Sequence, residues 1–363
     1  MRKAAVAGVV ALTASMLVAC GEAPGEKKEG EAGATNDFLP CILSDAGGFD
    51  DKSFNQLSYE GVKQAADELG SEFKQFESTS ENDYQNALET FVSEGCDTIV
   101  TVGFALAAAT KESAAANPDI HYVLIDDPAD GGEDGQTFDG QADQPNIKPI
   151  LYNTAEAAFL AGYAAADQTK TGVVGTFGGM PYPTVTIFMD GFKQGVDYYA
   201  KEKGKDVKVV GWSGNDKGLF TGGFEANEKA TNTAKQILDQ NADIILPVGG
   251  PIYQGAQTAI KDSGEDVALV GVDADFFETD PSTQDIIFTS ILKNMKQSTY
   301  EAVAASAEDF DATPYVGTLE NEGVGLAPFH NFESKISDTL AEELETVKAG
   351  IIDGSITVNS YLK

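Results

Sequence analysis

The passage CDTIVTVGFALAAATKESAAANPDIHYVLID, residues 96–126, holds two short apolar, β-branched runs on either side of an alanine-rich stretch. Runs such as CDTIVTVG (96–103) and YVLID (122–126) suit strands buried on both faces, and 105–117 is long enough for a crossover helix. A strand, a helix and a second strand in that order pack as parallel neighbours with the helix laid on one face. The polar residue ending the second run, Asp126, then stands at the carboxyl edge of the sheet.

The same alternation extends in both directions. Upstream, PCILSD (40–45) is an apolar run closing on a polar residue and a glycine pair. Phe54, Leu57, Val62, Ala65, Ala66 and Leu69 then recur at helical spacing over 53–69, before a strand near 73–76 and a helix over 82–94. Downstream, strands are predicted at TGVVGTF (171–177), VKVVGWS (207–213), DIILPV (243–248), VALVGVD (267–273) and IIFTS (286–290). Helices at 184–203, 225–240, 253–263, 293–307 and 334–349 fall between and after them. Two such α/β series, each of roughly ordinary domain size, point to two doubly wound parallel-sheet lobes.

Composition narrows the function. The chain has 363 residues, with 24 Lys and Arg against 58 Asp and Glu, a net charge of −34. That charge repels phosphate backbones and argues against a nucleic-acid partner. Two histidines and three cysteines argue against a histidine-rich metal site or an iron–sulfur cluster, so no cofactor is expected.

At the N-terminus, Arg2 and Lys3 precede AAVAGVVALTASMLVA and Cys20, the charged start and apolar middle of an export signal. Leu17-Val18-Ala19-Cys20-Gly21 resembles the lipobox of bacterial lipoproteins. The resemblance implies a signal peptide over 1–19, lipid on Cys20 and retention at the outer face of the cell membrane, acyl groups supplying about 0.8 kcal/mol per buried methylene. A plain secretory signal or a single-span anchor is the alternative. Residues 21–36 lack large apolar side chains and read, with Cys20, as a tether over 20–36.

Residues 127–149 carry Asp127, Asp130, Glu133, Asp134, Asp139 and Asp143 among glycines, yet lack the Asp-x-Asx-x-Asx-Gly frame of a calcium loop. A solvated acidic loop and a cation site both stay open. Cys41 and Cys96 begin the first and third strands, which are neighbours in a doubly wound sheet. A disulfide is geometrically permitted and extracytoplasmic conditions allow it, while two separately buried thiols are the alternative.

Catalytic motifs are missing: there is no GxSxG elbow, HExxH, phosphate loop or tight GxGxxG after the first strand. Gly175-Thr176-Phe177-Gly178-Gly179-Met180 lacks the lysine of a phosphate site. His121 enters an apolar strand and His330 follows a turn, so neither suggests a triad, and the chain does not read as an enzyme. Polar residues instead mark strand ends: Asp45, Asp126, Asp273, Ser290 and Lys293. With Phe54 and Trp212 nearby, they describe a cleft for a neutral polar ligand carrying a flat ring.

Asp45-Ala46-Gly47-Gly48-Phe49-Asp50-Asp51-Lys52-Ser53-Phe54-Asn55-Gln56, followed by Tyr59-Glu60-Gly61, resembles the opening signature of the basic membrane protein (BMP) family. These are PnrA-like nucleoside-binding lipoproteins of ABC importers. Val270-Gly271-Val272-Asp273-Ala274-Asp275, Thr289-Ser290-Ile291-Leu292-Lys293-Asn294 and residues 351–358 resemble the family's later segments in order.

The resemblance implies a type I periplasmic-binding fold with a ligand cleft between its lobes. The first lobe is expected over 37–160, completed by about 290–325, and the second over 161–289; residues 326–363 pack on the lobes without a lobe assignment. Function follows as expectation: a monomeric carrier that captures nucleosides, purine nucleosides being the family's best-known ligands, and hands them to an ABC permease. Position by position, Asp45 matches the carboxylate contacting the base, Phe54 one wall of an aromatic sandwich, and Asn55 the asparagine of the signature. Asp126 matches the acid ending the YVLID strand, and Asp273 with Lys293 the pair engaging ribose hydroxyls. The opposite wall, usually a Phe in the loop after the second lobe's second strand, is assigned to Trp212, with Phe220 and Phe224 as alternatives. A sugar or autoinducer receptor on the same fold, and a surface adhesion or signalling lipoprotein, are the competing readings.

Overall fold

The computed structural model describes residues 37–131, 141–214 and 217–362. Its strands in chain order are β1 (Pro40–Ser44), β2 (Lys74–Glu77), β3 (Thr98–Val102), β4 (His121–Ile125), β5 (Ile147–Tyr152), β6 (Val173–Gly178), β7 (Lys208–Val210), β8 (Ile244–Val248), β9 (Ala268–Asp273), β10 (Ile287–Lys293), β11 (Tyr315–Gly317) and β12 (Val324–Leu326). The helices are α1 (Phe54–Leu69), α2 (Tyr84–Ser93), α3 (Ala107–Ala116), α4 (Thr154–Gln168), α5 (Pro183–Lys203), α6 (Glu228–Leu238), α7 (Tyr253–Ser263), α8 (Phe276–Thr279), α9 (Met295–Ser306) and α10 (Leu340–Ile352).

Two six-stranded sheets result, ordered β2-β1-β3-β4-β5-β11 and β7-β6-β8-β9-β10-β12. Every pairing is parallel except β10 with β12. The inner strands β1, β3 and β8 are buried along their whole length, which is why they read as unbroken apolar runs. Strand order reverses between β1 and β3 and again between β6 and β8, and each reversal opens a crevice at the carboxyl ends of the strands.

Three crossings link the lobes side by side, at Asn153, at Asn294 and over residues 318–323. Asn153 N donates to Gly317 O at 2.8 Å and Asn294 N to Gly323 O at 2.9 Å, so the crossings are stitched together by their backbones. The first lobe therefore ends at Tyr152 rather than near residue 160. Helix α4 packs on α5, β10 and β12 of the second lobe, whereas α9 returns to α1 of the first. Residues 326–359, unassigned from sequence, lie with the second lobe, α10 resting on α4 and Asn359 bonded to Gln194 of α5.

Five elements escape sequence periodicity: the short α8, β11 and β12, and the longer β5 and α4. Residues 147–149 are not loop but the start of β5, a strand disguised by Pro149 and by the acidic segment before it. Helix α4 is buried on almost all sides and has no polar face to reveal a period. Its close approach to α5 needs glycine: a Cβ on Gly162 would lie 2.0 Å from Phe192 O, and one on Gly195 1.9 Å from Phe159 O.

Cys41 and Cys96 form a disulfide, with Cα atoms 6.0 Å apart, so the alternative of two buried thiols falls away. The bond lies in the core of the first lobe, with Leu43, Leu88 and Ile99.

Candidate functional site

The cleft lies between the carboxyl edges of the two sheets and holds about 580 Å³ of atom-free space, part of it open to solvent. Asp45, Phe54, Asn55, Asp126, Asp273 and Lys293 all line it. Six of the seven residues expected from sequence are thus brought together.

The first corner is built by the loop 45–53. Asp51 caps α1, its two oxygens accepting from Ser53 N (3.0 Å), Asn55 N (2.9 Å) and Gln56 N (3.1 Å). This cap orients Asn55, whose amide donates to Asp45 Oδ1 at 2.9 Å and to Asp51 Oδ2 at 3.3 Å. Asp45 backs onto Gly103, where φ is +117° and a Cβ would lie 2.5 Å from Asp45 Oδ2. Only glycine suits that place. Asp51 stands in the quoted signature, yet its capping role depends on how the chain turns at Lys52, where φ is +62°.

The second corner is ionic. Asp126 and Asp273 terminate β4 and β9, the fourth strand of each lobe in chain order, and both adopt left-handed backbone, with φ of +66° and +67°. Lys293, at the end of β10, donates to Asp126 Oδ2 and lies 3.4 Å from Asp273 Oδ1. Its ammonium also sits 5.0 Å from the Phe54 ring centre and 5.1 Å from that of Phe188. The hydroxyl of Ser53 reaches across the lobes to Asp273 Oδ2 at 3.0 Å or Val272 O at 3.1 Å.

Charge is unbalanced here: four carboxylates, Asp45, Asp51, Asp126 and Asp273, face one ammonium. Burial pushes Asp45 up to about 7; the neighbouring Asp51, Asp126 and Asp273 add to this, while the Asn55 amide opposes it. Burial raises Asp51 against its three backbone bonds, and raises Asp126 against the pull of Lys293. For Lys293, burial works downward, but Asp126 and Asp273 together hold its ammonium above the usual lysine range. Two buried acceptors on lining residues, Asn55 Oδ1 and Asp273 Oδ1, have no hydrogen-bond partner within the protein.

Aromatic rings supply the remaining walls. Phe54 stands on the first lobe and Phe224 on the second. Phe224 is seated on two glycines: a Cβ on Gly179 would lie 2.4 Å from its ring, and one on Gly249 2.6 Å. Trp212 is not a wall of the cleft. Its indole is buried, donates to Asp190 Oδ1 at 2.8 Å and meets Phe220 edge-on. Phe220 itself packs against Gly178 and lies outside the cleft lining. Loop register, invisible in a glycine-rich segment, brings Phe224 to the place assigned to Trp212. Phe104, Tyr182 and Phe188 also line the cleft, and among them only Tyr182 carries a sequence signal, its two flanking prolines.

Other marked residues serve structure. Ser290 Oγ accepts from Phe276 N at 3.1 Å, and Asp275 caps α8 through Phe277 N at 3.1 Å. His330 stacks on Phe277 and pairs with Asp275, and His121 stacks on Phe310. In the acidic segment, Asp127 accepts from Ala129 N at 2.7 Å, and Asp143 accepts from Gly131 N and Lys111. Among the described residues no group of three or more His, Cys, Asp or Glu side chains is arranged to hold a metal ion. Glu133, Asp134 and Asp139 lie outside the described residues, as do Cys20, the signal peptide and the tether. Among the described residues no helix is long and apolar enough to cross a membrane.

A two-lobed, doubly wound architecture with its cleft at facing strand ends is that of the type I solute-binding proteins. The chain belongs to the family described as "ABC transporter substrate-binding protein PnrA-like", whose model matches residues 40–360. It is similar to the ABC transporter nucleoside-binding protein BmpA of Lactococcus lactis subsp. cremoris, at 27% identity over 99% of each chain. Basic membrane protein A of Borreliella burgdorferi is 31% identical, with 86% of each chain covered. Among solved structures, an ABC transporter solute-binding protein of Aeropyrum pernix K1 superposes with a TM-score of 0.77 at 26% identity, covering 90% of this chain and 94% of that one. The protein is an extracytoplasmic substrate-binding component of an ABC transporter, and members of this family are carriers rather than enzymes.

Proposed function

We propose that the cleft captures nucleosides, purine nucleosides among them, and that the protein delivers them as a monomer to the permease of its ABC importer. The observation that carries this reading is the pairing of two chemistries in one cleft. Phe54 and Phe224, from opposite lobes, offer flat apolar faces for a base. Asp273, whose Oδ1 has only the 3.4 Å approach of the Lys293 ammonium, and Lys293 itself offer an acceptor and a donor for ribose hydroxyls. Asp45, with Asn55 behind it, meets the polar edge of the base. A phosphate would enter a cleft with surplus negative charge, so nucleosides are favoured over nucleotides. The carrier is held at the outer face of the membrane by lipid on Cys20.

Native mass spectrometry of the purified protein, followed by identification of any ligand released on denaturation, tests the proposal directly. Thermal-shift titration with inosine, adenosine, uridine, ribose and glucose then separates classes. Stabilisation by ribose equal to that by inosine assigns the cleft to sugars and removes the role of the rings. A cleft silent to every probe leaves the adhesion or signalling reading in its place.

A further inference from the structure

Tyr182 stands on the second lobe between Pro181 and Pro183, at the start of α5. Its backbone is extended, with φ −77° and ψ 147°, and its carbonyl accepts from Val185 N and Thr186 N, both at 2.9 Å. Two prolines and two hydrogen bonds leave this residue little backbone freedom. Its ring nevertheless crosses to the first lobe, stacking on Phe104 with centroids 4.9 Å apart and planes 28° apart. On its own lobe it meets Phe224 at 6.0 Å. Phe104 directly follows Gly103, the residue against which Asp45 rests.

The three rings thus form a row across the cleft beside Asp45, and Tyr182 is the member that joins the lobes. We propose that Tyr182 is the lid of the cleft: its stack on Phe104 latches the lobes together over the bound ligand and sets how long that ligand is retained. Opening the lobes must break this stack. Closing remakes it at little entropic cost, because the prolines hold Tyr182 in place beforehand. The lid rests on the nucleoside reading only for the choice of probe.

Stopped-flow binding of inosine to wild type, Tyr182→Phe, Tyr182→Ala, Phe104→Ala and the double alanine variant tests the latch. Tyr182→Phe keeps the ring and should dissociate within about twofold of wild type, whereas each alanine variant should dissociate roughly three- to tenfold faster with association nearly unchanged. The double variant should be no worse than the poorer single one, because either loss breaks the same stack. Multiplying losses in the double variant, or Tyr182→Phe as fast as Tyr182→Ala, overturns the lid.

A ligand-free experiment stands apart from the nucleoside reading. Treatment of Phe104→Cys/Tyr182→Cys with a short bismaleimide, whose spacer replaces the two lost rings, should form a crosslink, and small-angle scattering should show a radius of gyration no larger than that of the untreated protein. If no crosslink forms, the lid is wrong whatever the protein binds. A crosslink in a protein whose wild type ignores all nucleosides supports the lid and retires the nucleoside reading alone.

Discussion

The two lobes share one frame and use it for opposite chemistries. After β1 the chain places Asp45, whose N–H bonds to Val102 O; after β6 it places Gly179, whose N–H bonds to Val248 O. After β3 stands Gly103, and after β8 stands Gly249, both with positive φ. In the first lobe this corner seats a carboxylate on glycine, and in the second it seats the Phe224 ring on glycine. One lobe thus brings the polar contact and the other an apolar face, so a ligand needing both is held only when the lobes meet. The fourth strands break this division of labour: Asp126 and Asp273 are alike in backbone and share Lys293.

The shared corner is the place where the largest effect is expected. Lys293→Met leaves Asp126 and Asp273 buried without their ammonium and should cost about 3–5 kcal/mol of folding stability by urea denaturation. Adding Asp126→Asn should recover part of that loss. If Lys293→Met is neutral, the two carboxylates do not depend on the cation and their likeness is incidental.

The aromatic half is tested by contrast within one loop. Phe224→Ala should weaken inosine binding by about 1–3 kcal/mol in calorimetry. Trp212→Ala should instead lower the melting temperature and leave affinity near wild type, since the indole is a buried packing group bonded to Asp190. The reverse pattern would return the wall to Trp212.

The glycine seats sharpen the comparison further. Gly103→Ala and Gly249→Ala each force a methyl into an occupied place at positive φ and should each cost about 1–2 kcal/mol of stability. Only Gly103→Ala should alter the pH dependence of inosine binding, because it alone displaces Asp45. Identical pH profiles in both variants would show that the polar and aromatic corners are not separate.

Asp45 is the titratable member of the polar corner. Burial raises its folded-state value from 3.8 to about 7. The stability associated with the neutral form is fully present at acid pH below its unfolded value, and declines as pH rises through about 7. Asp45→Asn should remove this decline, making the ligand-free variant more stable than wild type at pH 8 and nearly equal to it at pH 4. On the proposed reading, in which an ionised Asp45 accepts from the ring N–H of the base, inosine should bind wild type more weakly below pH 7. Parallel melting curves for the two proteins across pH would place the titration elsewhere.

Much of this architecture is written locally. Ile99, Val100 and Val102, or Ile244 to Leu246, announce central parallel strands because both faces of such strands are buried. Asp45, Asp126, Asp273 and Lys293 are legible for a related reason: a polar residue closing an apolar strand has to stand at the sheet's carboxyl edge. Helix α4 and strand β5 are not local in this sense. The first has no polar face because α5 and the second sheet surround it, and the second survives Pro149 because β4 and β11 hold it from both sides.

The cysteines and the aromatic wall show the boundary most plainly. Sequence order brings Cys41 and Cys96 to adjacent strands, but pairing them requires the register that sets their Cα atoms 6.0 Å apart. Trp212, Phe220 and Phe224 share one glycine-rich loop with no period to rank them. Contacts remote in sequence rank them instead: Asp190 draws the indole inward, and the bare backbone of Gly179 and Gly249 leaves the hollow into which Phe224 fits. Strand, lobe and cleft edge follow from short-range hydrophobic pattern, whereas the identity of the wall follows from space left empty by residues far along the chain.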